Sequence, residues 1–230
     1  MVSLRKVSLH KIVPVLGASV LTVACAQPLP SRPHLDGPET AVAREGLQSR
    51  SANLDQVAAA FAFDLSNASV YVAPIQVQYR ERSRDVRERL HARDFEFDAR
   101  ERERLQRLME GAFAERFLQP RNSRLATSPA EADYRLQLRL EDFALSAPLE
   151  PPTWTQRTLT EQSAYGVLAG ELYDRDGKLV MQFRDRRDIG ENPGSLTAGG
   201  QLQQFSGPVF WGDMRADMRR AFSSLDRALR

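Results

Sequence analysis

Tyr134-Arg135-Leu136-Gln137-Leu138-Arg139-Leu140-Glu141 is the stretch from which the fold is read. Apolar side chains occupy every second position, and charged or amide side chains fill the gaps between them. Period two marks a strand with one packed face and one wetted face. Arg135, Arg139 and Glu141 on the alternate positions rule out burial on both sides, so this sheet is covered on one face only. Downstream, the proline-rich Ala147 to Thr153 interrupts the chain. Ala164 to Asp174 and Lys178 to Arg187 then read as a β-hairpin through Asp174-Arg175-Asp176-Gly177, with Gly177 supplying a positive φ. Ile189 to Gly207, rich in Gly, Asn, Ser and Gln, reads as a long irregular loop. From near Pro208, Met214, Met218, Ala221, Phe222, Leu225 and Leu229 form the stripe of an amphipathic helix.

Upstream of the same strand, Asp98 followed by Glu101 is a helix N-cap with its capping partner. Behind it Leu105, Leu108, Met109, Ala112, Phe113 and Phe117 recur at helical spacing, and the helix is expected to end before Pro120. Val70 to Tyr79 reads as a strand with Tyr71, Ala73, Ile75, Val77 and Tyr79 on its packed face. Pro74 marks an edge, a bulge or a lapse in pairing there. Leu54 to Phe63 is either a short helix or the lead-in to the first strand. The mixed charges of Arg80 to Arg107 read as a solvated loop entering a helix face laced with i,i+4 pairs, in preference to a docking patch. These elements predict an α+β fold: a single, mostly antiparallel sheet of about four strands, with two amphipathic helices packed on one face. The order is β-α-β-β-β-α, within one domain spanning 52–230.

The N-terminal region carries a different message. Ile12 to Cys25 (IVPVLGASVLTVAC) follows Arg5, Lys6 and Lys11, and is an apolar run of signal-peptide length, too short for a permanent span. Leu21-Thr22-Val23-Ala24-Cys25 resembles a bacterial lipobox, although Thr22 stands where an aliphatic residue is usual. The expectation is a signal peptide over 1–24, lipidation of Cys25, and a flexible tether over 25–51 that holds four prolines and no aromatic residue. A competing A-x-A site at Ala24-Cys25-Ala26 would instead release a chain starting at Gln27. By resemblance to enteric lipoproteins, the lack of aspartate at Ala26 and Gln27 points to the outer membrane, with the domain facing the periplasm.

Removing the three leader cations turns the formal net charge of +2 into −1, which gives no reason to expect a nucleic-acid partner. Cys25 is the only cysteine, so no intramolecular disulfide can form. Of three histidines, His10 lies in the signal and His34 in the tether, which leaves His91 as the one base candidate. No G-x-S-x-G or H-E-x-x-H occurs, and Lys178 sits beside a turn. Asp174 and Asp176 fail as a calcium loop, because with Gly177 as the turn glycine the first and last ligand positions fall on Leu172 and Phe183. Gly194-Ser195 and Gly199-Gly200 form no phosphate-binding motif. No metal, cofactor or catalytic residue is assigned.

The cysteine-terminated signal, the tether, VYVAPIQV, ADYRLQLRLEDF, GELYDRDGKLVMQFRDRR and FWGDMRADMRRAF together resemble an uncharacterised family of proteobacterial lipoproteins, the domain of unknown function DUF3313. The similarity covers about Leu65 to the C-terminus. It implies a cell-envelope protein and brings no catalytic residues with it. Two tryptophans remain to be placed. Trp211, beside Phe210 at the entrance to the last helix, is read as a core contact. Trp154 follows Pro151 and Pro152 in a segment with no periodicity; it is either a lid over the sheet edge or a partner contact. The resulting expectation is a non-enzymatic domain, held to the membrane by acyl chains on Cys25, that binds or scaffolds a protein or cell-wall partner in the periplasm. The alternative is a carboxylate-dependent cell-wall hydrolase, which a deep cleft with two acids at catalytic separation would favour.

Overall fold

The structure, a computed structural model, describes residues 46–80, 95–150, 158–191 and 202–230. Cys25, His91 and Trp154 lie outside the described residues. Four strands open the described chain: β1 (Leu47–Ser49), β2 (Gln56–Ala60), β3 (Ser69–Val72) and β4 (Gln76–Tyr79). Helix α1 (Ala99–Phe113) follows, then β5 (Arg124–Leu125), β6 (Tyr134–Leu145), β7 (Thr158–Thr160), β8 (Ala164–Asp174), β9 (Leu179–Ile189), β10 (Gln203–Phe205) and helix α2 (Gly207–Ala228). The main sheet has eight strands, ordered β1-β2-β9-β8-β6-β3-β5 with β4 also on β6, and β7 pairs with β10 in a separate ribbon.

This corrects the expected sheet of about four mostly antiparallel strands and the order β-α-β-β-β-α. The sheet is twice that size and mixed. β3 and β4 run parallel to β6, because α1 lies between them in the chain as a crossover connection, while β6, β8, β9, β2 and β1 pair antiparallel in turn. The strands absent from the expectation are two to five residues long, too short to show a period. β1 falls inside the stretch read as tether, and β2 is the alanine-rich QVAAA. β10 lies within the stretch read as an irregular loop.

β6 and the hairpin form as their patterns require. Leu136, Leu138 and Leu140 are buried on one face, and Gly177 closes the β8–β9 turn at φ 77°. Beyond Glu141 a bulge at Asp142, whose φ is 50°, shifts the register, so Phe143 and Leu145 stay on the packed side. The Val70 to Tyr79 stretch departs from its expected phase. It breaks at Pro74, and Val72 stands opposite Leu136 while Gln76 stands opposite Arg139. Four residues on one side therefore match three on the other, and the packed face changes parity. Val70 and Val72 are buried where Tyr71 was expected, and Val77 and Tyr79 are half-buried beyond the break.

Asp98 caps α1 with the reciprocal Glu101 bond in place. The helix widens into a π-helical segment at Ala114–Leu118 and tightens into a 3-10 turn through Pro120. Both helices lie on one face of the sheet. Phe113 stacks on Phe117 at 5.0 Å and meets Phe222 edge-on at 5.3 Å, while Phe222 meets Phe183 of β9 at 6.3 Å. At the other end Phe97 stacks on Trp211 at 5.7 Å and packs against Phe143 at 5.2 Å. Trp211 is thus buried in the core. Since Phe97 faces Trp211 and Phe113 faces Phe222, the helices run side by side in the same direction.

Candidate functional site

Three polar regions surround this core, and each places its charges differently. The first is the outer face of the sheet. Arg139 forks onto Glu171 at 2.8 and 3.1 Å and reaches Glu141 at 3.2 Å, Arg184 pairs with the same Glu141, and the Tyr173 hydroxyl donates to Glu171 at 2.8 Å. Nearby, Arg80 pairs with Asp142 at 2.7 Å and lies over the Tyr165 ring. The bond from Arg139 holds the Glu171 carboxyl below its ordinary range, and Arg80 does the same for Asp142. A general acid needs the opposite shift at neutral pH. These groups form a lattice of satisfied pairs.

The second region is buried between β9 and α2. Asp185 and Arg187 share the inward side of β9 with Phe183, and Arg187 bridges Asp185 at 2.7 Å to Asp217 of α2 at 2.8 Å. Asp217 also accepts from Arg220 at 2.5 Å and from the Gly190 N–H at 3.2 Å. Burial pushes the Asp185 carboxyl above the usual carboxylate range, against the pull of Arg187. Asp185 and Asp217 are buried at 4% and 2% exposure, Arg220 reaches Asp217 from a solvent-exposed position, and the network clamps α2 to the sheet.

The third region is the trough between the outward faces of α1 and α2, which encloses about 590 Å³. Arg104 and Arg107 from α1 and Arg215 and Arg219 from α2 rim it, and Leu108, Gly111 and Ala112 make its floor. Arg104 lies 4.6 Å over the Trp211 ring, Arg107 pairs with Glu103, and Arg219 pairs with Glu115 at the far end. Arg215 has no ionic partner among the described residues. Counting the four guanidinium groups against Glu115, the trough carries a formal charge of +3.

Two further concavities contain acids that are already engaged. One of about 240 Å³ holds Asp64, whose carboxyl is kept low by bonds from Ser66; another of about 530 Å³ holds Asp133 and Asp174. Asp133 accepts from the Ser69 hydroxyl at 2.7 Å, which lowers it, and Asp174 accepts the Asp176 and Lys178 backbone N–H groups that shape the turn. Among the described residues no three His, Cys, Asp or Glu side chains are grouped to hold a metal ion.

The basic trough was not singled out in the sequence. Its signal was present, as Arg104 and Arg107 flank the α1 stripe and Arg215 and Arg219 lie four apart on α2, but seeing it required knowing that the two helices are neighbours. Arg107 does carry the expected i,i+4 pair, with Glu103.

No protein-family model matches the sequence, and no curated protein matches it. Among solved structures, a PelC dodecamer from Paraburkholderia phytofirmans that carries a single leucine-to-methionine substitution aligns at a TM-score of 0.37 and 11% identity, over 74% of this chain and 95% of that one. The unsubstituted PelC dodecamer aligns at 0.36 and 12%, over 78% and 96%. A neuraminyllactose-binding hemagglutinin homolog from Helicobacter pylori aligns at 0.27 and 9%, over 71% and 81%.

Proposed function

We propose that this chain is a non-catalytic domain of the bacterial cell envelope, lipid-anchored through Cys25 at the outer membrane, which binds or scaffolds a periplasmic partner. The observation that carries the reading is the lining of the trough between α1 and α2: guanidinium groups around a small apolar floor, which suits recognition and supplies no acid–base pair. A carboxylate-dependent hydrolase requires two acids facing each other across a cleft, one of them held protonated near neutral pH. In the described concavities the acids are hydrogen-bonded or ion-paired, and Asp64 and Asp133 are shifted downward. Of the carboxyls that burial pushes upward, Asp185 is buried beneath the sheet and Glu101 accepts the Asp98 N–H in the α1 capping box.

The test has three readings on the full chain. Intact-mass analysis of the mature protein is expected to show an acylated N-terminus at Cys25, and an unacylated chain beginning at Gln27 refutes the anchor. Crosslinking in envelope fractions is expected to trap a partner. Release of soluble fragments from purified peptidoglycan would overturn the non-catalytic assignment.

A further inference from the structure

We infer that the trough between α1 and α2 seats an acidic amphipathic helix of a partner protein, lying along the two helices as a third. This rests on the binding role proposed above and names its surface and the chemistry of its partner. From Arg104 to Glu115 the trough follows α1 for eleven residues, about 16 Å at 1.5 Å per residue, the length of three helical turns. Its floor suits close helix packing. Gly111 presents no side chain, and a Cβ built there would meet nothing within 4 Å; Ala112 is small, and the half-buried Leu108 offers apolar surface. Helices pack at about 8–10 Å between axes when the contact residues are of this kind.

The rims then select the partner's flanks. Arginines stand on both sides of the apolar floor, so a matching helix carries an apolar stripe with carboxylates on either side, each able to take a guanidinium fork. Arg104 and Arg215 have no ionic partner among the described residues, and Arg215 projects from the exposed side of α2. Arg104, Arg107 and Arg219 are partly engaged, by Trp211, Glu103 and Glu115 respectively. A lipid headgroup layer fits this shape less well, because the charges rim a concavity and a bilayer presents a broad flat surface. An acidic glycan fits less well too, because Leu108, Gly111 and Ala112 bring no side-chain hydrogen-bonding group to the floor.

The experiment uses the full chain and a fluorescent synthetic helix of about fifteen residues, with leucines at i, i+3, i+4 and i+7 spacing and glutamates on both flanks. Its glutamine counterpart, polygalacturonate and phosphatidylglycerol vesicles serve as competing probes. The glutamate helix is expected to bind, to weaken with added salt, and to weaken at least tenfold in both Arg215→Glu and Gly111→Leu. The first reverses the charge at an exposed position, and the second fills the floor from a position where the added Cβ meets nothing within 4 Å. The glutamine helix is expected to bind at least tenfold more weakly. Equal binding by the parent and both variants, with thermal melts showing them folded, overturns the inference. So does stronger, Arg215-dependent binding of the glycan or the vesicles. Partner crosslinks that persist undiminished in both variants overturn the trough assignment while leaving the binding role intact; absence of crosslinks in the parent counts against that role itself.

Discussion

The two faces of β6 are separated by one residue along the chain and by a full change of environment. Leu136, Leu138 and Leu140 point into a core closed by two helices, whereas Arg139 and Glu141 lie in an ionic lattice on the open side. The inner face also holds a charged network, Asp185-Arg187-Asp217, so polarity alone does not separate the faces. Access to water does. On the outer face a broken pair can be rehydrated; on the inner face it leaves an ion stranded in low dielectric. The same chemical pair therefore has different consequences according to which side of the sheet it occupies.

The strongest way to break this comparison is Arg187→Ala. It removes the bridge, so that Asp185 keeps only the Asp55 N–H and Asp217 only Arg220 and the Gly190 N–H, at an expected cost of about 3 kcal/mol in denaturant unfolding. A loss no larger than that of an exposed pair would show that water reaches the network. Leu138→Ala deletes a side chain packed at 1% exposure, beside the Gly170 position where any Cβ would strike the Phe183 ring. The expected cost is about 2–5 kcal/mol, with the cavity contribution included.

On the outer face, Arg139→Ala removes a partner from Glu171 and Glu141 where water can replace it, and about 1 kcal/mol is expected, diminishing with salt. This is more than an isolated surface arginine contributes, since the guanidinium is forked and its side chain only 25% exposed. The pH profile carries the same contrast. Glu171, Asp142 and Asp133 have folded-state values held low, by Arg139, Arg80 and Ser69 respectively. Their contribution is complete above the ordinary unfolded carboxylate value of about 4 and is lost as pH falls through the lowered folded values. Asp185 has the opposite sign: its raised folded value makes protonation favourable, so its own contribution improves as pH falls through that value. Stability is expected to decline below about pH 4, with a shallower decline in Arg139→Ala. An unchanged slope in that variant would remove the lattice from the account.

The sequence made the long elements legible and hid the short ones, for a physical reason. β6, the hairpin and both helices each run through several periods of an apolar pattern, so alternation or stripe identified them. β1, β5, β7 and β10 are two or three residues long and owe their existence to the neighbours they pair with. The parity change at Pro74 was equally hidden, because the extra residue is visible only against the register of β6. The inward placement of Asp185 and Arg187 could not be read either: in LVMQFRDRRDI they extend the line of Met181 and Phe183, and only α2 supplies the Asp217 that lets them remain there. The trough depends on the same missing knowledge, since each helix shows its arginines as an ordinary solvated face.

The smallest effect concerns the surface that belongs to neither face of the sheet. Gly111 sits two residues from the end of α1, exposed, in a helical conformation that needs no glycine, and with open space where its Cβ would stand. In a helix interior glycine costs about 0.5–1 kcal/mol relative to alanine, because its backbone loses more freedom on folding. Gly111→Ala is therefore expected to stabilise the domain by about that amount in thermal or denaturant melts. The inner face shows the contrasting case at Gly170, where the Phe183 ring excludes any side chain and substitution must cost stability. A gain at Gly111 would mean that the fold forgoes stability to keep the trough floor bare, as a surface reserved for close approach requires. A loss would mean that the glycine answers to a packing constraint within the helix pair, and the trough floor would then owe its shape to folding alone.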